Sequence, residues 1–206
     1  MALIHKATMT PTKKELLADW LPTRGWWPGG GGPHVVGAYR LDDPEGEVGI
    51  EAMLVASPDG ALLHVPLTYR GAALPGAESF LVGTSEHSVL GTRWIYDGCG
   101  DPVWAAQTAA VILSGGAQAE ETVDAGDGTR KRREPSVRVD ASGGGAVDVG
   151  NIDAVTARDD GPTTLVQAGD LEIVLVRVVG TDVSAPHTLT GRWADGGPSV
   201  LAGVRT

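Results

Sequence analysis

Two neighbouring stretches of the chain, 47–55 and 61–70, alternate between apolar and polar residues with the period of two that is typical of β-strands. Between them lies Ser57–Gly60, whose sequence Ser-Pro-Asp-Gly suits a tight turn. Proline presets φ at the second position of such a turn, and glycine accepts the positive φ at its end. Two alternating stretches joined in this way predict a β-hairpin.

Two segments carry the signals of α-helices. Thr12–Glu15 has the spacing of a capping box, and an apolar stripe with helical periodicity follows until Pro22 ends it. Farther along, Asp101–Pro102 supplies an N-cap and a proline suited to the first helical turn. This second helix is predicted to close at Gly115–Gly116.

The remaining pattern predicts short strands connected by turns. Leu171–Val176 is apolar on both faces, which is typical of a central strand, and Ala168–Asp170 before it suits a hairpin turn. The polar, glycine-rich stretch 124–146 is expected to be a flexible loop or hairpin. Strands joined by hairpins, with only two helices, indicate an α+β fold in which the helices pack on a mostly antiparallel sheet. Further strands are predicted near 79–87, 93–96, 163–167, 188–193 and 199–204.

Composition and charge narrow the classes of function. The 206 residues suffice for one large domain or two small ones, and the net charge is −10. Such an acidic chain repels phosphate backbones and anionic lipids, so we expect neither nucleic acid nor membrane as a partner. The basic run Arg130–Arg133 is interpreted as a solvated loop. The start of the chain lacks the long apolar run of a signal peptide, and we expect a cytoplasmic protein.

Known catalytic and cofactor motifs are not found. Gly29–Gly32 lacks the lysine and the Ser or Thr of a phosphate-binding loop, and none of the five histidines belongs to an H-x-D segment. Cys99 is the only cysteine, which excludes an intramolecular disulfide and a zinc site of several thiolates. We therefore expect no kinase activity, no metal and no cofactor, and assign no catalytic residue.

Three weaker signals favour structural roles. Gly83–His87 approaches a nucleophile elbow, but His87 replaces the final glycine that the turn needs, so strand residues are favoured. Cys99 near a helix N-terminus would be a reactive thiol or, as we favour, a buried one. The carboxylates of Asp42–Glu47 are interpreted as a solvated turn.

The chain has six tryptophans and one phenylalanine. Trp20, Trp94 and Trp104 lie in predicted helices or strands and are expected in the core. Trp26 and Trp27 lie in a loop rich in proline and glycine. Their rings would either stack on a sugar, fill a pocket of a partner, or pin the loop to the protein itself.

Several segments share the pattern of one known family. Read together, they resemble the N-terminal cap domain of bacterial maltokinases over nearly the whole chain. The segments are Pro11–Leu17 with Trp20–Pro22, Leu62–Gly71, Phe80–Ser88, Trp94–Pro102, and Leu189–Trp193 with Val200–Ala202.

The resemblance implies a single cap-like domain over residues 1–206, with a curved antiparallel sheet wrapped on a helix in a cystatin-like arrangement. The kinase lobes that bind ATP and maltose have no counterpart in this sequence, so we expect a stand-alone cap. Caps of this family contribute no established catalytic residue, and none is carried over.

Three hypotheses about function follow. The first is a non-catalytic accessory or regulatory module of glucan, trehalose or maltose metabolism that acts on a kinase or glucan-metabolising enzyme in trans. This hypothesis predicts an exposed apolar patch and no convergent set of titratable residues. The second is a domain that binds a sugar, a sugar phosphate or another small molecule, in a pocket where Trp26, Trp27 or Trp94 lies beside His87, Asp97 or Arg70. The third is a small enzyme that uses Tyr96, Asp97 and His87. The candidate ligand or partner contacts are Trp26, Trp27, Arg70, His87, Trp94, Tyr96 and Asp97.

Overall fold

The computed structural model describes residues 2–5, 7–124, 129–145 and 148–205, with the backbone alone for 2–5. Within these ranges the helices are α1 (Lys13–Trp20) and α2 (Pro102–Ser114), and no helix is long and apolar enough to cross a membrane. The strands of the same ranges are β1 (Ala2–His5), β2 (Met9–Thr10), β3 (His34–Leu41), β4 (Gly49–Ala56), β5 (Leu62–Arg70), β6 (Leu81–His87), β7 (Gly91–Asp97), β8 (Glu121–Asp124), β9 (Arg130–Arg133), β10 (Val137–Ala141), β11 (Thr156–Asp160), β12 (Thr163–Ala168), β13 (Leu171–Val176), β14 (His187–Trp193) and β15 (Gly196–Arg205).

Both helices begin and end where their sequence signals lie. Thr12 caps α1 with its side chain and forms the reciprocal capping box with Glu15. Asp101 caps α2 by accepting from the N–H of Val103, and Gly115 ends α2 in the left-handed conformation at φ 74°. The two predicted helices are confirmed.

The first sheet has six antiparallel strands in the order β2-β6-β7-β5-β4-β3. Its centre includes the predicted hairpin, in which β4 and β5 pair from Gly49 opposite Tyr69 to Ala56 opposite Leu62. Because side chains alternate along a strand, Met53 and Val55 of β4 face α1, whereas Ile50 and Leu54 face the opposite side. The first sheet is therefore covered on both faces.

The second sheet also has six antiparallel strands, in the order β10-β14-β15-β13-β12-β11. Strand β13 is central and buried over Ile173–Val176, as its two apolar faces predict. Helix α2 packs through Trp104, Ala109 and Ile112 into a core that both large sheets share. A small third sheet, β1-β8-β9, lies beside them.

The α+β class with two helices and mostly antiparallel sheet is confirmed, although the strands form two large sheets and not one. The basic run Arg130–Arg133 is not a loop: it forms β9, because its backbone pairs with the acidic strand β8. Within the expected loop 124–146, Val137 and Val139 of β10 are buried in the shared core. Residues 125–128 and 146–147 of that loop lie outside the described residues.

Candidate functional site

A cavity of about 510 Å³ lies on the α1 side of the first sheet. Its walls come from the start of α1, the β3–β4 turn, the end of β5 and the β6–β7 turn. Cationic, acidic and apolar side chains all contribute to its lining. The polar side chains of the lining are Lys13, Arg40, Asp42, Asp43, Glu47, Tyr69, His87 and Arg93.

Glu51 of β4 connects three of the lining residues beneath the cavity floor. Its carboxylate accepts from Lys13 Nζ at 2.5 Å, from Arg40 Nη2 at 2.9 Å and from the Tyr69 hydroxyl at 2.7 Å. The Lys13 ammonium also lies 5.2 Å from the centre of the Tyr69 ring. We refer to these four residues as the Glu51 network.

The network holds Glu51 in its charged form. Burial alone would raise the pKa of Glu51, but the charges of Arg40 and Lys13, with the hydrogen bonds from Lys13 and Tyr69, lower it to about 2. The pKa of Tyr69 is raised well above its ordinary value by burial and by the adjacent carboxylate. The phenol therefore stays protonated and donates its hydrogen bond to Glu51.

Glu121 of β8 is a second buried carboxylate near the network. Burial raises the pKa of Glu121, and the charge of Glu51 adds to this effect, against the opposing charges of Arg133 and Arg40. Its Oε2 lies 3.4 Å from Arg133 Nε and has no hydrogen-bond partner in the part of the chain that the structure describes. Two acids with opposite pKa shifts can divide the roles of acid and base. Neither Glu51 nor Glu121 lines the cavity, however, so a substrate there would not reach them directly.

The β6–β7 turn forms the other wall of the cavity. His87 Nδ1 accepts from the backbone N–H groups of Val89 and Leu90 at 3.2 and 3.1 Å, which folds this turn. The Arg93 guanidinium donates to the Leu90 carbonyl through Nη2, whereas its buried Nε has no hydrogen-bond partner within the described residues. Arg93 also lines a second cavity, of about 400 Å³, with Arg70.

A separate polar cluster lies in the core, away from either cavity. Arg177, which follows β13, donates from Nη2 to Asp97 at 2.5 Å and to Cys99 Sγ at 3.2 Å. Its Nε donates to Thr164, and its guanidinium lies 4.6 Å from the centre of the Trp26 ring. Burial raises the pKa of the Cys99 thiol well above its ordinary value, so this cysteine is the inert, buried kind.

His64 of β5 is also buried in a neutral form. Its Nδ1 lies 3.2 Å from the Leu201 carbonyl, which can only accept, so this nitrogen carries the proton and Nε2 accepts from the Tyr39 hydroxyl at 3.0 Å. Burial and the positive charge of Arg177 lower the pKa of His64 to about 3. This arrangement links the first sheet to β15.

The candidate aromatic contacts lie mostly inside the protein. Trp26 is 5 % exposed and packs edge-on against Trp20, so its ring pins the loop to the protein. Trp27 is half-buried against the α1 core, and Trp94 is half-buried in β7. The Tyr96 hydroxyl is buried and accepts from the backbone N–H of Leu74 at 2.9 Å.

The candidate polar contacts occupy three different places. Arg70 forms two hydrogen bonds of 2.7 Å with Asp101, the N-cap of α2. Asp97 is buried against Arg177, and only His87 of the candidate set lines the large cavity. The tryptophan that the second hypothesis places beside His87 or Arg70 is not in the lining of either cavity.

The structure separates the residues of the third hypothesis. His87 pairs with Gly91 at one end of the β6–β7 hairpin, and Asp97 lies six residues farther along β7. At about 3.3 Å per residue the separation is roughly 20 Å, beyond hydrogen-bond reach even through one water. His87, Tyr96 and Asp97 therefore do not form one acid/base site.

The Glu51 network was not expected from the sequence. The first hypothesis predicts no convergent set of titratable residues, and this prediction is wrong, because Lys13, Arg40, Glu51 and Tyr69 meet on neighbouring elements. The signal was present in β4, where Glu51 interrupts a face that continues with Met53 and Val55. An acid at such an inward position requires cationic partners from the elements packed over it. Among the described residues, no group of three or more metal-binding side chains is placed to hold a metal ion.

Comparison with known proteins identifies part of the chain. Residues 20–101 match the family described as the maltokinase N-terminal cap domain. The matched segment, somewhat less than half of the chain, spans β3–β7 and ends at the N-cap of α2. Over this segment the chain is similar to that cap domain, and the resemblance is confirmed there. No curated protein matches the chain.

Proposed function

We propose that this chain is a non-catalytic accessory or regulatory module of maltose, trehalose or α-glucan metabolism that acts through a protein partner. The observation that carries the proposal is the match of residues 20–101 to the maltokinase N-terminal cap domain. The family's name associates such a cap with an enzyme that phosphorylates maltose. The expected partner is therefore a sugar kinase or another glucan-metabolising enzyme.

The surface of the matched segment supports binding to a protein partner. The exposed large apolar side chains of the described residues all belong to it: Val35, Val36, Leu81, Val89 and Leu90. Val35 and Val36 lie on β3, an edge strand of the first sheet, and Val89 lies at the β6–β7 turn with 56 % of its surface exposed. An edge strand with apolar side chains is a common site of protein association. The buried Trp26 is not available for such a contact.

Affinity capture from the native lysate tests this function. The tagged chain and its Val89→Asp variant are compared, because aspartate at this exposed position opposes an apolar contact without disturbing the core. The control variant is Arg192→Gln, at an exposed position of β14. We expect an ATP-dependent sugar kinase or a glucan-metabolising enzyme to be retained by the wild type and the control, and to be depleted with Val89→Asp. Recovery of the chain alone would contradict the proposal.

A second candidate function is the binding of a carbohydrate or another small molecule. The 510 Å³ cavity favours it, because its size lies in the range of ligand pockets and it contains a small number of polar groups on partly apolar walls. The measurement is a calorimetric titration with neutral sugars, sugar phosphates and amino acids. Saturable binding of one class would support this function, and the absence of heat for all three would contradict it.

A further inference from the structure

Arg93 differs from the other cations around the cavity in its partners. Lys13 and Arg40 share the Glu51 carboxylate, and Arg70 has Asp101. Within the described residues, Arg93 makes no ion pair and the only hydrogen bond of its side chain is to the Leu90 carbonyl. A half-buried guanidinium without a carboxylate partner, on a cavity wall, is an anchor for an anion from solution.

The hydrogen-bonding state of Arg93 indicates that an acceptor is missing. Its Nε is buried without a partner among the described residues, and an unsatisfied buried donor is unfavourable. Its Nη1 packs close to the backbone of Gly71, where an added Cβ would lie 3.4 Å from it. Nε is closed to water in this arrangement. An oxyanion would reach Nε once the guanidinium turns toward the cavity and gives up its hydrogen bond to the Leu90 carbonyl.

Lys13, at the start of α1, contributes further donors to the cavity. Its ammonium has three N–H groups, of which one is directed to Glu51, and 31 % of its side chain is exposed. Cationic donors such as Lys13 and Arg93 suit a phosphate group better than a neutral sugar alone.

The β3–β4 turn suits hydroxyl groups. In this turn the Asp43 carboxylate accepts from the backbone N–H groups of Glu45, Glu47 and Val48. These bonds hold Asp43 rigidly in the lining, and its oxygens keep lone pairs for further donors. Carboxylates accept hydrogen bonds from sugar hydroxyls, whereas they repel a second phosphate.

We propose that this cavity binds a small phosphorylated sugar, with the phosphate on Arg93 and Lys13 and the hydroxyls toward Asp43. The inference rests on the second candidate function and names its ligand class. It does not depend on a protein partner, because Val89, which tests the partner, does not line the cavity.

Calorimetric titration with glucose 1-phosphate, inorganic phosphate, glucose and amino acids tests the proposal. We expect glucose 1-phosphate to bind, inorganic phosphate to bind more weakly, and glucose to bind weakest. Arg93→Gln should weaken the affinity for glucose 1-phosphate at least tenfold, and Arg93→Lys, which keeps the charge but loses the fork of donors, should give an intermediate value. The exposed Arg192→Gln should bind as the wild type does.

Thermal unfolding of each variant shows whether it is folded, and Arg93→Lys carries the test if Arg93→Gln is not. Equal affinity of wild type and folded Arg93 variants would overturn the role of Arg93 while leaving small-molecule binding intact. If the wild type binds an amino acid and none of the phosphates, the ligand class is wrong. If it binds none of the probes, both this inference and the second candidate function fail.

Discussion

Arg177 Nη2 donates to Asp97 Oδ2 at 2.5 Å, and this buried ion pair joins the two large sheets. Asp97 ends β7 of the first sheet, and Arg177 directly follows β13 of the second. The backbone around Arg177 strengthens the connection, since its carbonyl accepts from His64 and its N–H donates to Pro162. The pair therefore sets how the end of the matched cap segment is held against the rest of the protein.

Replacement of Arg177 by methionine should strongly destabilise the fold. It leaves the Asp97 carboxylate buried without its cation, and breaking a buried ion pair in this way lowers the free energy of unfolding by about 3–5 kcal/mol. Urea unfolding measures the loss, with the exposed Arg192→Met as control. The double variant Arg177→Met/Asp97→Asn should lose less than the sum of the two single variants. Additive losses would contradict a direct coupling of the pair.

Glu51 should make the protein sensitive to acid below pH 4.5. Its pKa is about 2 in the folded protein and 4.5 in the unfolded chain, so its stabilising contribution is present above pH 4.5 and is lost as the pH falls toward 2. The full contribution is about 3 kcal/mol. Glu51→Gln should therefore be less stable than the wild type at pH 7, and the difference should shrink below pH 4.5.

Urea unfolding of both proteins between pH 7 and pH 3 measures this difference. Glu47→Gln, at an exposed position of the cavity rim, is the matched control and should follow the wild type. A difference between Glu51→Gln and the wild type that stays constant over this range would contradict the assigned pKa.

His64 should lower the stability as the pH falls from 6.5 to about 3, and between pH 6.5 and pH 4.5 it acts before Glu51 does. Its pKa is lowered to about 3 in the folded protein, so the unfolded chain binds the proton first and stability falls as the pH drops below 6.5. The expected loss is about 1.4 kcal/mol per pH unit.

His64→Asn removes the titrating imidazole. It also removes the nitrogen that accepts from the Tyr39 hydroxyl. The stability advantage of the wild type over the variant should therefore decrease steadily from pH 6.5 to pH 4.5 in chemical denaturation. His34→Asn, at an exposed position of β3, should run parallel to the wild type. If the stability of His64→Asn changes with pH as that of the wild type does, His64 is not buried in its neutral form.

Replacement by alanine should change the stability differently at two adjacent glycines. A Cβ on Gly143 would collide with the carbonyls of Ile112 and Leu113 in the last turn of α2, whereas one on Gly144 meets open space. Gly143→Ala should lower the free energy of unfolding by about 1–3 kcal/mol through strain, and Gly144→Ala should leave it unchanged or raise it slightly. Thermal unfolding of the two variants compares them directly. Equal melting temperatures would mean that the α2 end is not packed as described.

Elements with local signals were predictable from the sequence. The capping box of α1, the Asp101 cap of α2 and the Ser57–Gly60 turn are each defined within a few residues, and the structure has all three. The arrangement of strands into two large sheets was not predictable in this way. It depends on pairings between distant strands, such as β13 with β15, which leave no spacing signal in the sequence. The strand at Arg130–Arg133 was missed because its pattern is polar throughout.

In the candidate site, too, only local features were predictable from the sequence. Charged residues that act in the turn where they occur, such as Asp43, were recognised as part of a turn. Arg177 and Asp97 are 80 positions apart, and Lys13 and Glu51 are 38 apart. Only the folded chain brings each pair together. A charged residue within a buried strand pattern, as at Glu51, signals that a partner exists but does not identify it.

The most direct test of the proposed function is a binding titration between the purified chain and the purified catalytic body of a maltose-phosphorylating kinase from the same source. The account predicts saturable binding with a Kd of about 10 μM or tighter, weakened at least tenfold by Val89→Asp and unchanged by Arg192→Gln. Titration without saturation up to about 1 mM, or equal affinity for wild type and Val89→Asp, would contradict the account.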